Sequence, residues 1–257
     1  MSSGLIARLT RMPRHWAAQT RSRRIRNVHC SRPIISFCFD DFPRSALTEG
    51  GAVLGHFGVK ATYYVSLGLM DVERSSVGPM FRLDDLRAVM AAGHELGCHT
   101  FDHADAWTCS VAQFMDSISR NGACLARLGC GSRFRSFSYP KGQATPGTKT
   151  AIESRFECCR GIYPGINASG ADVNLLKACS IYGHGASLER LHKLIRTNCA
   201  VGGWLVFYTH DVSTQPSRFG CTTDFLSRVI DASLGAGATI LPVSSAFDLA
   251  FGTSAGK

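Results

Sequence analysis

The sequence predicts a single α/β domain curled into a closed or nearly closed barrel, and three observations carry that expectation. Short apolar segments alternate with stretches of helical periodicity from residue 34 onward, the pattern of βα units around a parallel sheet. About seven such units fit into roughly 220 residues, which suits one barrel better than two small domains. No internal repeat or low-complexity linker divides the 257 residues, enough chain to bury one sizeable core.

The elements follow in order. Residues 34–39 read as a buried strand that opens onto Asp40 and Asp41. Residues 47–57 have helical spacing through Leu47, Val53, Leu54 and Phe57, with Gly58 as the stop. Residues 61–65, rich in aromatic and β-branched side chains, form the next strand. A helix over 83–92 and a short strand over 94–99 come next, then a longer helix over 111–128 and a strand over 135–139. The alternation continues with a helix near 148–154, a strand near 157–161, a helix over 188–197 and a strand over 204–209. A helix over 224–234 and a strand over 239–241 complete it. Residues 162–187, rich in Gly and polar side chains, read as a long irregular connection of the kind that carries function.

Charge is confined to one end. The formal net charge is +9, yet residues 1–39 hold eight arginines and no acid. Removing those eight from the 28 basic residues leaves 20 against 19 acids, so the body is nearly neutral and argues against a specific nucleic-acid partner. Residues 1–33 are expected to be a basic, disordered arm, with the catalytic domain over 34–250 and a flexible end over 251–257. The arm has no apolar run long enough for a secretory signal, although its arginine-rich composition also suits a transit peptide. The longest apolar run, 204–208, falls far short of the ~20 residues of a membrane span. Eleven cysteines without paired CxxC motifs read as small buried hydrophobes rather than a thiolate zinc site. Free thiols fit a reducing compartment, so a cytoplasmic location is expected, with the oligomeric state open.

The chemistry sits where the expected strands end. Asp40 and Asp41 follow one strand, His99 and His103 a second, and His210 a third, so two acids and three histidines converge on one face. Two histidines and a carboxylate suit a divalent metal such as zinc, with positions left for water. A metal-bound water is a nucleophile near neutral pH. A second carboxylate can take its proton and a third histidine can protonate a leaving amine. That division of labour describes amide hydrolysis.

Four segments carry a resemblance. Residues 36–43 (SFCFDDFP) resemble the TFDDGP motif of the polysaccharide deacetylases with NodB homology, carbohydrate esterase family four. His99-Thr100-Phe101-Asp102-His103 is similar to the family's H-S/T-x-x-H motif, residues 137–142 (FSYPKG) to its R-x-P-Y-G motif, and residues 204–210 to its closing hydrophobic-x-His motif. Residues 58–65 resemble the family's second strand, so the likeness spans about 34–245.

The resemblance implies a distorted, NodB-like (β/α) barrel that removes N-acetyl groups from an oligo- or polysaccharide. Asp40 is then the general base, Asp41, His99 and His103 hold one divalent ion (zinc, or else cobalt), and His210 is the general acid. The backbone N–H of Lys141 helps to bind the oxyanion, and Ser138, Tyr139 and Pro140 are expected to contact substrate. Departures stand beside it. Phe42 replaces a glycine and is expected to wall the cleft. Ser138 and Lys141 stand where an arginine and a tyrosine are usual, with Arg135 three residues too early to serve. No Asp-Trp pair follows the third motif, and Gly165-Ile166-Asn167 resembles a variant of bacterial exopolysaccharide deacetylases. Two alternatives stay open, a metal-dependent hydrolase of small non-sugar amides and a catalytically silent carbohydrate-binding protein. Asp102 and Asp105 are read as either supports for the metal histidines or solvated loop acids. Trp107 and Tyr163 are read as sugar-stacking or packing aromatics, and His184 as a minor cleft candidate.

Overall fold

The computed structural model of the chain describes residues 3–28, 30–183 and 187–252, with 3–11 described by backbone alone. Helix α1 (Ser3–Thr20) and strand β1 (Ile25–Arg26) come first. The alternation then runs β2 (Ile34–Phe39), α2 (Arg44–Thr48), α3 (Gly50–His56), β3 (Thr62–Val65), α4 (Leu83–Ala91), β4 (Glu95–Cys98), α5 (Val111–Arg127), β5 (Ser136–Ser138), α6 (Pro146–Ile152) and β6 (Cys158–Arg160). Strands β7 (Ala171–Asp172) and β8 (Cys179–Ser180) lead to α7 (Leu188–Val201), β9 (Trp204–Thr209), α8 (Thr223–Gly235), β10 (Thr239–Ile240) and α9 (Val243–Phe251).

The parallel sheet runs β6-β5-β4-β3-β2-β9-β8, and β10 adds an eighth strand beside β2. β10 pairs with Ile34 and Ile35 and β3 with Cys38 and Phe39, so the two short strands share one edge of β2. The segment before β8 curls the sheet. Leu176 donates to Cys159 O at 2.8 Å and accepts from Gly161 at 3.0 Å, while β8, three residues on, pairs with β9. One stretch of chain thereby links both ends of the strand order. Alternation along β2 splits its side chains between two layers. Ile35, Phe37 and Phe39 join the larger cluster under α3, α4, α5 and α8, while Ile34 and Cys38 join a second cluster with Tyr64, Trp204, Val206 and Tyr208. Val243, Ala246 and Phe247 of α9 belong to that second cluster and cap it. Glu95 fastens the cap by accepting from Thr62 (2.8 Å), Ser136 (2.6 Å) and the Ser244 amide (2.9 Å).

Several expectations change. The helix expected over 47–57 is two helices, α2 and α3, that meet at Glu49, and the first already begins at Arg44; Gly50 opens the second where a Cβ would stand 3.1–3.3 Å from Phe39 and Val212. The irregular connection over 162–187 contains β7 and β8, whose two-residue lengths give no periodicity to read. Helix α9 lies in the segment after residue 241 for which no element is expected. Residues 253–257 of the expected flexible end lie outside the described residues.

The largest correction concerns the basic arm, whose described residues from 12 to 28 are structured. Ala18 is fully buried, and the Lys149 amine donates to the carbonyls of Ala18 (2.7 Å) and Arg21 (2.9 Å) while paired with Asp172. Arg24 donates to the carbonyls of Phe156 (3.1 Å) and Glu157 (2.6 Å), and β1 pairs antiparallel with β7. Counting charges missed this because these cations are partnered by backbone carbonyls, which are invisible to composition.

One half-buried imidazole sets a pH limit on the fold. The Ala61 N–H donates to His94 Nδ1 at 3.1 Å, which requires a neutral ring. Burial, with help from the Lys60 charge, pushes the His94 pKa from 6.5 down to about 4. Protons therefore bind the unfolded chain first, so His94 stabilises the fold above its unfolded pKa and that contribution is lost as pH falls. Thermal melts should show the unfolding midpoint dropping between pH 6.5 and about 4. In His94→Gln, whose amide oxygen still accepts from Ala61, the slope across that window should flatten; an unaltered slope would remove His94 as its cause.

Candidate active site

The parallel strands present their C-terminal ends on one side, and the turns that leave them bend sharply. Asp41 (φ 61°), Phe42 (56°), Thr100 (62°), His103 (55°) and Lys141 (57°) all occupy the left-handed region, where side chains other than glycine are strained. The strain is local to the turns after β2, β4 and β5, and surrounding hydrogen bonds hold it. Asp40 N–H donates to Thr209 O at 2.9 Å, His99 N–H to Val65 O at 3.1 Å, and Ala104 N–H to Thr100 Oγ1 at 2.8 Å.

Asp41, His99 and His103 offer ligand atoms that all lie within 4.8 Å of one another. Asp41 Oδ1 stands 3.4 Å from His99 Nε2 and 3.3 Å from His103 Nε2, and this buried oxygen has no hydrogen-bond donor among the described residues. His99 Nδ1 is 2.7 Å from Ser138 O. A carbonyl only accepts, so Nδ1 carries the proton and Nε2 presents its lone pair. Burial, and then the neighbouring His103, push the His99 pKa well below its ordinary value and keep the ring neutral. The three side chains together could hold a divalent cation, and the Ser138 carbonyl sets the tautomer of His99.

Asp40 is nine-tenths or more buried, and its partner is a residue the sequence reading did not single out. Arg160, at the end of β6 and 1% exposed, donates from Nη2 to Asp40 Oδ1. Its guanidinium is sandwiched between the rings of Tyr64 (4.7 Å) and Tyr208 (5.0 Å) and donates to Gly161 O at 3.2 Å. Gly97 makes room for this stack, since a Cβ there would stand 2.4 Å from the Tyr64 ring. Burial pushes the Asp40 carboxyl above its ordinary value, and Arg160 holds that rise in check. The available signal was a cation ending an otherwise apolar strand segment. Arg135 is engaged elsewhere, with Glu157 and Asp248 at 2.6 Å each.

His210 brings its Nε2 to 3.9 Å from Asp41 Oδ2, and its buried Nδ1 has no hydrogen-bond partner among the described residues. The five singled-out side chains thus line one cleft of about 450 Å³, walled by Val77, Ile162, Tyr182, Tyr208 and Phe219, with Lys141 and Arg218 also on its lining.

Other expected site residues fall elsewhere. Ser138 and Tyr139 are buried, as is Pro140, and none of the three lines the cleft. Tyr139 packs on Phe137 and Phe114 and reaches Asn174 O, so its role is structural, while Ser138 acts through its carbonyl on His99. Phe42 does not wall the cleft; it is fully buried, stacked on Phe81 at 5.1 Å. Asp102 pairs with Arg120 (2.7 Å), and Asp105 pairs with Lys141 (3.2 Å) and accepts from the Trp107 amide; neither supports a metal histidine. Trp107 and Tyr163 are packed against His15 of α1, at ring distances of 4.8 and 5.5 Å. Asn167 ties its loop to Trp204 O at 3.1 Å. His184 lies outside the described residues.

Titration of the purified chain with zinc should give one equivalent bound, and Asp41→Ala and His103→Ala should each weaken binding on the order of 100-fold or more. Undiminished binding in both variants would place the ion elsewhere.

Residues 28–155 match the family model described as polysaccharide deacetylase. No curated protein matches the chain. Among solved structures, the chitin deacetylase of the fungal pathogen Colletotrichum lindemuthianum is similar, with 17% identity and a TM-score of 0.60 over 85% of this chain and 89% of that one. A family 4 acetyl xylan esterase from Clostridium thermocellum, in complex with a cobalt ion, gives 17% identity and a TM-score of 0.56 over 84% and 91%. A CE4 family pseudoenzyme from Bacillus anthracis gives 14% and 0.59 over 86% and 67%. At such identities these three speak for the fold, the curled (β/α) barrel. The matched half of the chain contains β2 to β5 with Asp40, Asp41, His99 and His103, and through it the chain belongs to the polysaccharide deacetylase family.

Proposed function

We propose that this chain is a metal-dependent hydrolase that removes N-acetyl groups from the amino sugars of an oligo- or polysaccharide. The observation that carries the reading is the meeting, in one cleft, of the Asp41–His99–His103 set, an Arg160-held carboxylate at Asp40 and an imidazole at His210. A divalent ion such as zinc in that set would polarise the acetyl carbonyl and lower the pKa of the attacking water.

The chain's own groups supply the rest. Asp40 takes the water's proton, and Arg160 keeps that carboxylate oriented and ionised despite its burial. His210 delivers a proton to the nitrogen of the leaving amine. The backbone N–H of Lys141, in its left-handed turn on the cleft lining, is assigned to the acetyl oxygen as negative charge develops there. The aromatic walls at Tyr182, Tyr208 and Phe219 suit the apolar face of a pyranose ring. A silent scaffold is disfavoured because neither base, acid nor any of the three ligands is missing.

Metal-loaded protein should release acetate from N-acetylchitooligosaccharides, and Asp40→Asn should lower kcat by about 10²–10⁴. Undiminished turnover in that variant would remove Asp40 as the base, and turnover confined to small formyl or acetyl amides would move the substrate away from sugars. The base works as a carboxylate, and Arg160 opposes the rise that burial imposes on it. Arg160→Gln should therefore move the acidic limb of kcat/KM to higher pH, with the loss greatest on the acid side; a simple scaling of the profile would mean that Arg160 serves packing alone.

A further inference from the structure

One cation on the cleft lining has no counter-charge among the described residues. Asp40 is compensated by Arg160, Lys141 is held by Asp105 at 3.2 Å, and Asp41 belongs to the metal set. Arg218 makes no ion pair with any acid among the described residues. Its guanidinium lies 4.5 Å over the ring of Phe219, whose ring in turn packs against His210 at 5.5 Å. The charge therefore stands one aromatic ring away from the candidate acid.

The loop that carries it is rigidly bonded. Asp211, 5% exposed, is the acid of this loop, yet its two carboxylate oxygens accept from the Ser217 amide (2.7 Å) and the Ser217 hydroxyl. Its carbonyl accepts from Cys221 at 3.0 Å. Phe219 O accepts from His210 N–H at 3.1 Å and from Thr209 Oγ1 at 3.2 Å, which pins the loop to the end of β9. Gly220 permits the fold-back, since a Cβ there would stand 2.5 Å from Asp211. The loop thus spends its acid on its own backbone and leaves the neighbouring guanidinium unneutralised at the cleft.

Resting on the deacetylase reading above, we propose that Arg218 is a specificity-determining residue that receives an anionic group, a carboxylate or a phosphate, carried by the substrate sugar or its neighbour. A planar guanidinium pre-set on a ring matches either group with paired hydrogen bonds. The substrate class is then an acidic N-acetylated glycan rather than a neutral one.

The test compares matched N-acetylglucosamine oligomers that are neutral, carry one uronic acid, or carry one 6-phosphate, with metal-loaded protein. The anionic-to-neutral ratio of kcat/KM should be at least about tenfold, should shrink as ionic strength rises, and should collapse toward one in Arg218→Gln. Whichever acidic oligomer shows the larger ratio identifies the source of the charge. Arg228→Gln, on the outer helix α8, should keep the full ratio and so control for net charge. Calorimetric binding of a non-acetylated uronate-containing oligosaccharide, with no turnover required, should weaken tenfold or more in Arg218→Gln. Equal kcat/KM for neutral and acidic oligomers in the wild type, or equal binding by wild type and Arg218→Gln, would overturn the proposal. Absence of acetate release from all three oligomers would instead count against the deacetylase reading, while the binding comparison would still decide the role of Arg218.

Discussion

Burying a carboxylate at the mouth of an apolar barrel is tolerable only beside a counter-charge, and the Asp40–Arg160 pair meets that condition. Much of the architecture follows from it. The two residues end β2 and β6, which are separated by three strands in the sheet, so they can touch only across the interior of a curled sheet. The guanidinium needs apolar walls that still favour a cation, and the faces of Tyr64 and Tyr208 provide them. Tyr64 in turn needs a neighbour without a side chain, and Gly97 of β4 is that neighbour. A glycine, two tyrosines and an arginine on four different strands are thus explained by one ion pair.

The second constraint is the concentration of unfavourable local geometry around the candidate metal set. Left-handed backbone at Asp41, Thr100 and His103 brings three potential ligand atoms close together, and the buried Asp41 Oδ1 among them has no hydrogen-bond partner among the described residues. A bound cation would compensate the strain and the unsatisfied oxygen together and would couple the stability of these turns to loading. Phe42 shows how far the scaffold carries such cost. It holds a conformation suited to glycine, yet its ring is stacked on Phe81 in the core, where aromatic burial contributes several times the ~1 kcal/mol of a left-handed residue.

The basic segment before β2 illustrates why charge counts mislead. Arg24 and Lys149 are cations whose partners include backbone carbonyls, and Lys149 is fully buried while doing so. A formal charge of +9 describes the chain, but the partners of its cations decide whether a segment is solvated or docked. The same lesson applies in reverse at Arg218, where an acid in the same loop is occupied by Ser217 and the cation is left without it.

Long elements were legible because their periodicity is dense. The strands at 34–39 and 204–209 occupy the residues read from apolar runs, and the helices beginning at Leu83, Val111 and Leu188 start where the sequence places them. Five of the side chains around the cleft were legible too, because chemistry-bearing residues recur at strand ends in short motifs with few bland explanations. What the sequence alone determined, then, is the βα alternation and which acids and histidines share a face. The tertiary structure alone decided which cation partners Asp40, that Ser138 serves through its carbonyl and Tyr139 through packing, that the short β8 ends the curled sheet, that β7 pairs with β1 beside it, and that helix α9 caps the second core cluster. The physical reason is range: periodicity and motif spacing are local along the chain. The Asp40–Arg160 pair spans 120 residues of sequence and exists only once the sheet has curled.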